Sequence, residues 1–347
     1  MIFPLHQFHR PNFIAEISGN HAGSFSKMEE IIRTIADIGV KFVKIQTYKP
    51  STITINSYDS AFIIDDPTSL WHGRRLWDVY QEAHTPWEWH KDLFDLAAEL
   101  DIVLFSSPFD MTAVDLLEDL NCPIYKIASF EITDHILLRK VASTGKPIVM
   151  STGMATLIEI ETAISLIKEN SNAPIALLKC TSSYPSPIAD SNLSTIDFLH
   201  RTFGLPVGLS DHCLNPVVAS TSIAYGVPLI EKHFKLEGDN TSIDSAFSLT
   251  PEQFQFMMHS CLDAFTSIGS PTLGGCESDS IYRSDRRSLY LTQNVEAGDT
   301  LSFQNVNSFR PGLGLPTSFF DVLKGRKFLT DIPKGTPLSL DHFISPE

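Results

Sequence analysis

At 347 residues, 43% of them hydrophobic, the chain has enough material for one large domain and one small one, each with a core of its own. A net charge of −15 excludes a protein that depends on attraction to nucleic acid or to an anionic membrane, and no apolar run approaches the roughly 20 residues of a spanning helix. Residues 1–10 carry no basic region followed by a long apolar stretch and a small-residue cleavage site, so a cytoplasmic protein is expected.

Taken in chain order, short apolar runs at residues 13–17, 42–45, 102–105, 124–127, 148–150, 175–178, 207–209 and 229–230 read as eight strands. Helix-start signals fall between them. Thr85-Pro86-Trp87-Glu88, Thr156-Leu157-Ile158-Glu159 and Thr250-Pro251-Glu252-Gln253 each have the spacing of a capping box. Alternating strand and helix implies right-handed crossovers and a parallel sheet, and eight such units close into a (β/α)8 TIM barrel, an α/β fold, over residues 1–268. The long connection from Tyr48 to Thr85 breaks this rhythm, and with the start of the next helix it holds all four tryptophans; it reads as a lid or interface whose aromatics mainly pack. Residues 269–284 read as a linker. A small β-rich domain follows over 285–347, with two similar phrases, Val295-Glu296-Ala297-Gly298-Asp299-Thr300-Leu301 and Ile332-Pro333-Lys334-Gly335-Thr336-Pro337-Leu338, that suggest an internal repeat. The five cysteines, Cys122, Cys180, Cys213, Cys261 and Cys276, are scattered and without a C-x-x-C pair, and read as buried free thiols.

Polar residues recur at the C-terminal ends of the strands: Glu16; Lys44 and Gln46; Ser106 and Ser107; Lys126, Ser129 and Glu131; Ser151; Thr181 and Tyr184; Ser210 and His212; Lys232 and His233. In a TIM barrel that end is where active sites are built, and one mouth lined this way is costly without a use. Lys44, Lys126 and Lys232 would make the mouth of an acidic protein locally positive, as a small phosphorylated carboxylate requires. No phosphate-loop or dinucleotide phrase is present. His212 and His233, on adjacent strands, read either as two ligands of one divalent metal, Mn²⁺ or Mg²⁺ in an open site, or as two buried hydrogen-bonded histidines. His21 is a candidate to line the site, and Glu16 and Glu131 are candidate proton carriers.

The phrases Ala15-Glu16-Ile17-Ser18-Gly19-Asn20-His21, Val43-Lys44-Ile45-Gln46-Thr47-Tyr48, Phe105-Ser106-Ser107-Pro108-Phe109-Asp110, Tyr125-Lys126-Ile127-Ala128-Ser129-Phe130-Glu131, Gly208-Leu209-Ser210-Asp211-His212 and Glu231-Lys232-His233-Phe234 resemble those of the sialic acid synthase family. Arg286-Arg287-Ser288-Leu289-Tyr290 and Arg310-Pro311-Gly312 resemble that family's C-terminal antifreeze-like (SAF) domain. Tyr80-Gln81-Glu82-Ala83-His84-Thr85-Pro86-Trp87-Glu88-Trp89 and Asp244-Ser245-Ala246-Phe247-Ser248-Leu249 resemble its pseudaminic acid branch more than the N-acetylneuraminic or legionaminic branches.

The resemblance implies a C–C bond-forming transferase that joins phosphoenolpyruvate (PEP) to an acetamido sugar. It implies PEP contacts at Lys44, Ser107, Lys126, Ser129, Ser151, Ser182 and Ser210, metal ligands at His212 and His233, catalytic roles for Glu16, Lys44, Lys126 and Glu131, and sugar contacts at Glu16, Gln46, Glu131, Tyr184, Asp244 and Arg310. It also implies a domain-swapped homodimer in which Arg310 comes from the other subunit. Two positions depart from the family pattern. Asn215 replaces a common glycine, where it is expected to tolerate a left-handed backbone, and Ser182 replaces a common Asn, which is expected to weaken PEP binding. Two readings of other kinds remain at this point: a noncatalytic sugar-binding protein, and a lyase using one of Lys44, Lys126 or Lys232 as a Schiff-base nucleophile.

Overall fold

The computed structural model describes residues 10–343; apart from Arg10, the segment read for a leader sequence lies outside them. The chain divides into two compact units, Met1–Gly269 and Ser270–Glu347.

The first unit is a closed barrel of eight parallel strands in chain order: β1 (Asn12–Glu16), β2 (Phe42–Thr47), β3 (Val103–Pro108), β4 (Tyr125–Ile127), β5 (Ile148–Ser151), β6 (Ile175–Cys180), β7 (Val207–Asp211) and β8 (Leu229–His233). All eight apolar runs lie within or overlap these strands, and most strands run on into the polar residues that follow. The ring closes where β1 pairs with β8, Asn12 opposite Leu229 through Glu16 opposite His233. On β7, Gly208 lets the neighbouring strands approach closely, because a Cβ there would come within 2.5 Å of the Leu229 carbonyl oxygen of β8 and 2.6 Å of Leu178 of β6.

Helices alternate with the strands and bury an apolar stripe against them. Phe25–Asp37 presents Met28, Ile31, Ile32 and Ile35, and Leu157–Asn170 presents Ile160, Ala163, Ile164 and Ile167. The capping boxes at Thr156 with Glu159 and at Thr250 with Gln253 form. The one expected at Thr85 does not, because a 3₁₀ turn over Trp87–Trp89 leads into the helix and leaves the Thr85 hydroxyl buried without a partner. Asn215 also departs from expectation. It is extended (φ −81°, ψ 125°) and its side chain caps the helix Pro216–Ser222 by accepting from the Val217 N–H, so its use is capping and not left-handed geometry.

The second unit is built around Leu289, Leu291, Val295, Leu301, Val306, Phe320, Phe328 and Ile332, with β9 (Ser288–Leu291) antiparallel to β10 (Val306–Phe309). The two repeated phrases pair with each other: Val295 and Ile332 exchange both backbone hydrogen bonds, at 3.0 and 2.9 Å. The relation is reciprocal throughout. Asn294 accepts from the Lys334 N–H as Asp331 accepts from that of Ala297, and Gly298 and Gly335 both take a left-handed turn (φ +95° and +84°) that suits glycine. Four cysteines are buried and free, as expected; Cys276 is exposed.

Candidate active site

Alternation along the strands decides which of the polar residues share the barrel mouth. On β2, Lys44 reaches Glu231 of β8 at 2.9 Å and Glu16 of β1 at 3.3 Å, and Lys126 of β4 reaches the same Glu231 oxygen at 3.7 Å. Lys126 also donates to Ser151 at 2.7 Å, and Ser210 donates to Glu231 at 3.1 Å. Two cations therefore converge on one buried carboxylate, with side-chain exposures of 5% or less.

These ionisations push one another apart. Burial raises the Glu16 carboxyl even against the attraction of Lys44, whereas in Glu231 the pull of Lys126 and Lys44 outweighs burial and holds the carboxyl low. Burial likewise lowers Lys126 to about 8, with Glu231 opposing, and raises Glu131 to about 7 against the pull of Lys126. A carboxyl that titrates near neutrality can give and take protons.

Around this cluster, several hydroxyls and ring nitrogens point at no protein partner. Among the described residues the hydroxyls of Ser107 and Ser182, one oxygen of Glu131 and Nδ1 of His233 are buried without a hydrogen bond. A side chain at Gly153 would meet Ser182 at 2.4 Å and Ser129 at 2.6 Å, so glycine is required where these two serines come together. Orphaned polar groups at this density are what a polar ligand would satisfy.

His212, just past β7, donates from Nδ1 to the Thr181 carbonyl at 2.9 Å and also hydrogen-bonds the Cys180 thiol; its ring lies 5.3 Å from that of His233. His233 is held neutral, its pKa pushed well down by burial and by the neighbouring His212. The Cys180 thiol beside His212 pushes its pKa up against burial, so His212 would give up a proton to bind a metal; the two imidazoles side by side would then fit an open divalent site, in which water and substrate oxygens complete the shell. Among the described residues no cluster of three or more His, Cys, Asp or Glu offers a closed cage.

Beside the histidines a cavity of about 500 Å³ opens, lined on one side by Ser18, Gln46, Glu131, His233, Asp244 and Tyr184. Gln46 donates to Glu16 and to Ser18, both at 2.9 Å, and Asp244 accepts from the Gly19 N–H at 2.9 Å, tying the first loop to the last. Tyr184 sits 4.4 Å from the His212 ring.

Several expected site residues lie elsewhere. Lys232 is on the opposite face of β8 from Glu231 and His233, where it pairs with Asp211 at 2.7 Å and with the Cys213 carbonyl. It adds no charge to the mouth. Ser106 likewise faces outward, in a chain with Thr47 and His90. His21 packs edge-on against Trp89, 5.5 Å away, and its Nδ1 accepts from the Gly23 N–H. Arg310, expected to come from the small domain of another subunit, is exposed on the second unit and is not tested by the barrel's geometry. Of the tryptophans, Trp71 lines the cavity, whereas Trp87 donates to the Tyr48 carbonyl and Trp89 packs on Phe25.

Glu231 escaped the sequence reading. The signal was present, since Glu231 and His233 are two apart on one strand and must share a face. Cys180 was read only as a buried thiol; it lies within hydrogen-bonding reach of His212 and Ser129.

Comparison with known proteins bears on this arrangement. The NeuB family model matches residues 31–272, and the SAF domain model matches residues 286–344. The chain is 41% identical over 333 residues to the pseudaminic acid synthase of Helicobacter pylori, covering 95% of this chain and 97% of that protein. It is 39% identical over 330 residues to the pseudaminic acid synthase of Campylobacter jejuni, covering 95% and 96%. Among solved structures, the spore coat polysaccharide biosynthesis protein spsE of Bacillus subtilis matches with a TM-score of 0.64 at 26% identity, over 97% of this chain and 96% of that one.

Proposed function

The chain belongs to the NeuB family, and from that premise we propose that it condenses phosphoenolpyruvate with 2,4-diacetamido-2,4,6-trideoxy-L-altropyranose and water, releasing pseudaminic acid and phosphate. The observation that carries this reading is the pair of buried lysines, Lys44 and Lys126, converging on one carboxylate inside a protein of net charge −15. Cations kept in that setting serve an anion, and PEP is an anion of the right size.

In this reading Lys44 and Lys126 hold the phosphate and carboxylate of PEP, with the hydroxyls of Ser107, Ser129, Ser151, Ser182 and Ser210 as hydrogen-bond partners. Gln46, Tyr184 and Asp244 orient the ring-opened sugar with its aldehyde toward the PEP methylene. The methylene carbon bonds to the aldehyde carbon, water adds at C2 of PEP, and the C2–O bond breaks to free phosphate. Glu131, with Glu16 as the second carboxyl, gives a proton to the aldehyde oxygen and takes one from the entering water. The lysines stabilise the charge that gathers on the leaving phosphate. His212 and His233 are the residues that would hold a divalent metal, Mn²⁺ or Mg²⁺, and when bound it polarises the sugar carbonyl as a Lewis acid.

The SAF domain fits a domain-swapped homodimer, in which the small domain of one protomer closes the mouth of the other and Arg310 of the partner subunit meets the sugar. Among the described residues no helix is long and apolar enough to cross a membrane, and a cytoplasmic enzyme drawing on soluble PEP accords with that.

The test is direct. Purified protein with PEP and Mn²⁺ is offered the diacetamido trideoxy sugar, the legionaminic precursor and N-acetylmannosamine separately, with phosphate release and product mass followed. Phosphate and a nonulosonic acid from the first sugar alone support the proposal, and turnover of another sugar alone replaces the substrate. Silence with all three overturns the reading.

A further inference from the structure

The cavity beside His233 has two unlike walls. Its barrel side carries the polar groups Ser18, Gln46, Glu131, Tyr184, His233 and Asp244, with Phe109, Ala128, Phe130 and Ile243 among them. Its opposite side comes from the connection between β2 and the next barrel helix, which contributes Ile53, Ile64, Trp71, Leu76 and Val79, with Phe247 packed edge-on against Trp71.

This wall is internally braced. Ile64 and the 73–74 turn exchange backbone hydrogen bonds at 2.8 and 2.9 Å, Arg75 forms a two-pronged pair with Asp78 at 2.6 and 2.8 Å, and Arg74 pairs with Glu82 at 2.6 Å. Apolar side chains facing a cavity in a segment otherwise rich in charge need a reason, because an aqueous cavity would be lined more cheaply by polar groups. Removing methyl groups from water is such a reason.

The sugar of the proposed reaction supplies them. It carries a methyl at C6 in place of a hydroxymethyl and one on each of two acetamido groups, while its hydroxyls and aldehyde can face the polar wall. We propose that this apolar wall is the specificity element of the site, selecting 6-deoxy, N-acetylated sugars over their hydroxylated counterparts. The inference rests on the sugar-condensing reading and adds which part of the molecule selects the methyl groups of the sugar.

The experiment compares the diacetamido trideoxy sugar with the same sugar bearing a hydroxyl at C6. Wild type, Val79→Thr, Ile64→Thr and Trp71→Phe are measured for kcat/KM with each sugar, for the KM of PEP, and for calorimetric binding of the two open-chain alditols. Val79→Thr and Ile64→Thr place a hydroxyl in the wall, and Trp71→Phe keeps it apolar. Wild type is expected to prefer the deoxy sugar by about 10- to 200-fold, the range one apolar group commands in a fitted pocket. The two threonine variants should lose most of that preference and Trp71→Phe should keep it, with the KM of PEP constant across the set. A wild type that fails to discriminate, or threonine variants that discriminate as well as wild type, overturns the proposal. If wild type turns over neither sugar, the proposed reaction falls, and alditol binding still decides whether the wall selects methyl groups.

Discussion

Replacing Glu231 by Gln preserves the shape of the side chain and deletes its charge, which isolates what that carboxylate does for the two lysines. At 2.9 Å from Lys44 and 3.7 Å from Lys126, and with an effective dielectric constant of about 20, the lost attractions are roughly 6 and 4.5 kcal/mol. The substitution also relieves repulsion toward PEP. An anion on the far side of an ammonium group lies about 6 Å from the carboxylate, so that relief is about 3 kcal/mol for each PEP charge and at most about 8 kcal/mol for its phosphate and carboxylate together. Loss of the lysines' support therefore wins. Lys126 is the more exposed to it in chemical terms, since burial already lowers it to about 8 and Glu231 is the largest influence holding it up. The sign follows. A lysine without its carboxylate releases its proton at lower pH, and even a third of the lost Lys126 attraction moves that titration about one pH unit downward. The KM of PEP should rise, kcat/KM should fall roughly 30-fold, the equivalent of the about 2 kcal/mol that remains, and the basic limb of activity should move to lower pH. Phosphate release measured against PEP concentration from about pH 6 to 9 reads all three. An unchanged KM together with an unmoved basic limb would refute the counter-ion role.

Three other outcomes are expected. His212→Ala should abolish phosphate release, and EDTA should do the same reversibly to wild type but not to a protein that needs no metal; full activity in EDTA sinks that assignment. Ser182→Asn should lower the KM of PEP, because a longer amide restores reach beside Gly153, and no change would show that the hydroxyl already suffices. Lys232→Met should cost about 3–5 kcal/mol in denaturant unfolding by stranding Asp211 in the interior, while the KM of PEP in the folded protein stays within about twofold. A large rise in that KM would return Lys232 to the mouth.

The barrel was legible because its signal is repetitive. Eight apolar runs separated by helix-start chemistry leave one economical closure, and each run is continuous and not alternating because a parallel strand is buried on both faces. Strand ends were less well read. The apolar runs stop before the strands do, since the strands continue into the polar residues that make the mouth; β8 was seen as Leu229 and Ile230 alone and runs on to His233. Treating Lys232 and His233 as a pair ignored the period of two, which sends neighbours to opposite faces. The same rule, applied consistently, would have set Lys232 aside and promoted Glu231, and it would have separated Ser106 from Ser107.

The apolar wall of the cavity marks where such reasoning stops. Residues 49–84 have no period to say which side chains face inward, and the fold of that segment depends on particular pairs such as Arg75 with Asp78 and Ile64 with Arg74, whose partners are set by a turn and not by a pattern. The weight of tryptophan there suggested packing, and Trp87 and Trp89 do pack. Trp71 does not follow them, because the turn over residues 69–74 carries it across to Tyr184 and Phe247, whose rings lie 6.4 Å from its own. Chemistry common to a barrel mouth is thus written on strands, where periodicity exposes it. Choice of substrate is written in an irregular connection, where only the assembled structure shows which residues meet.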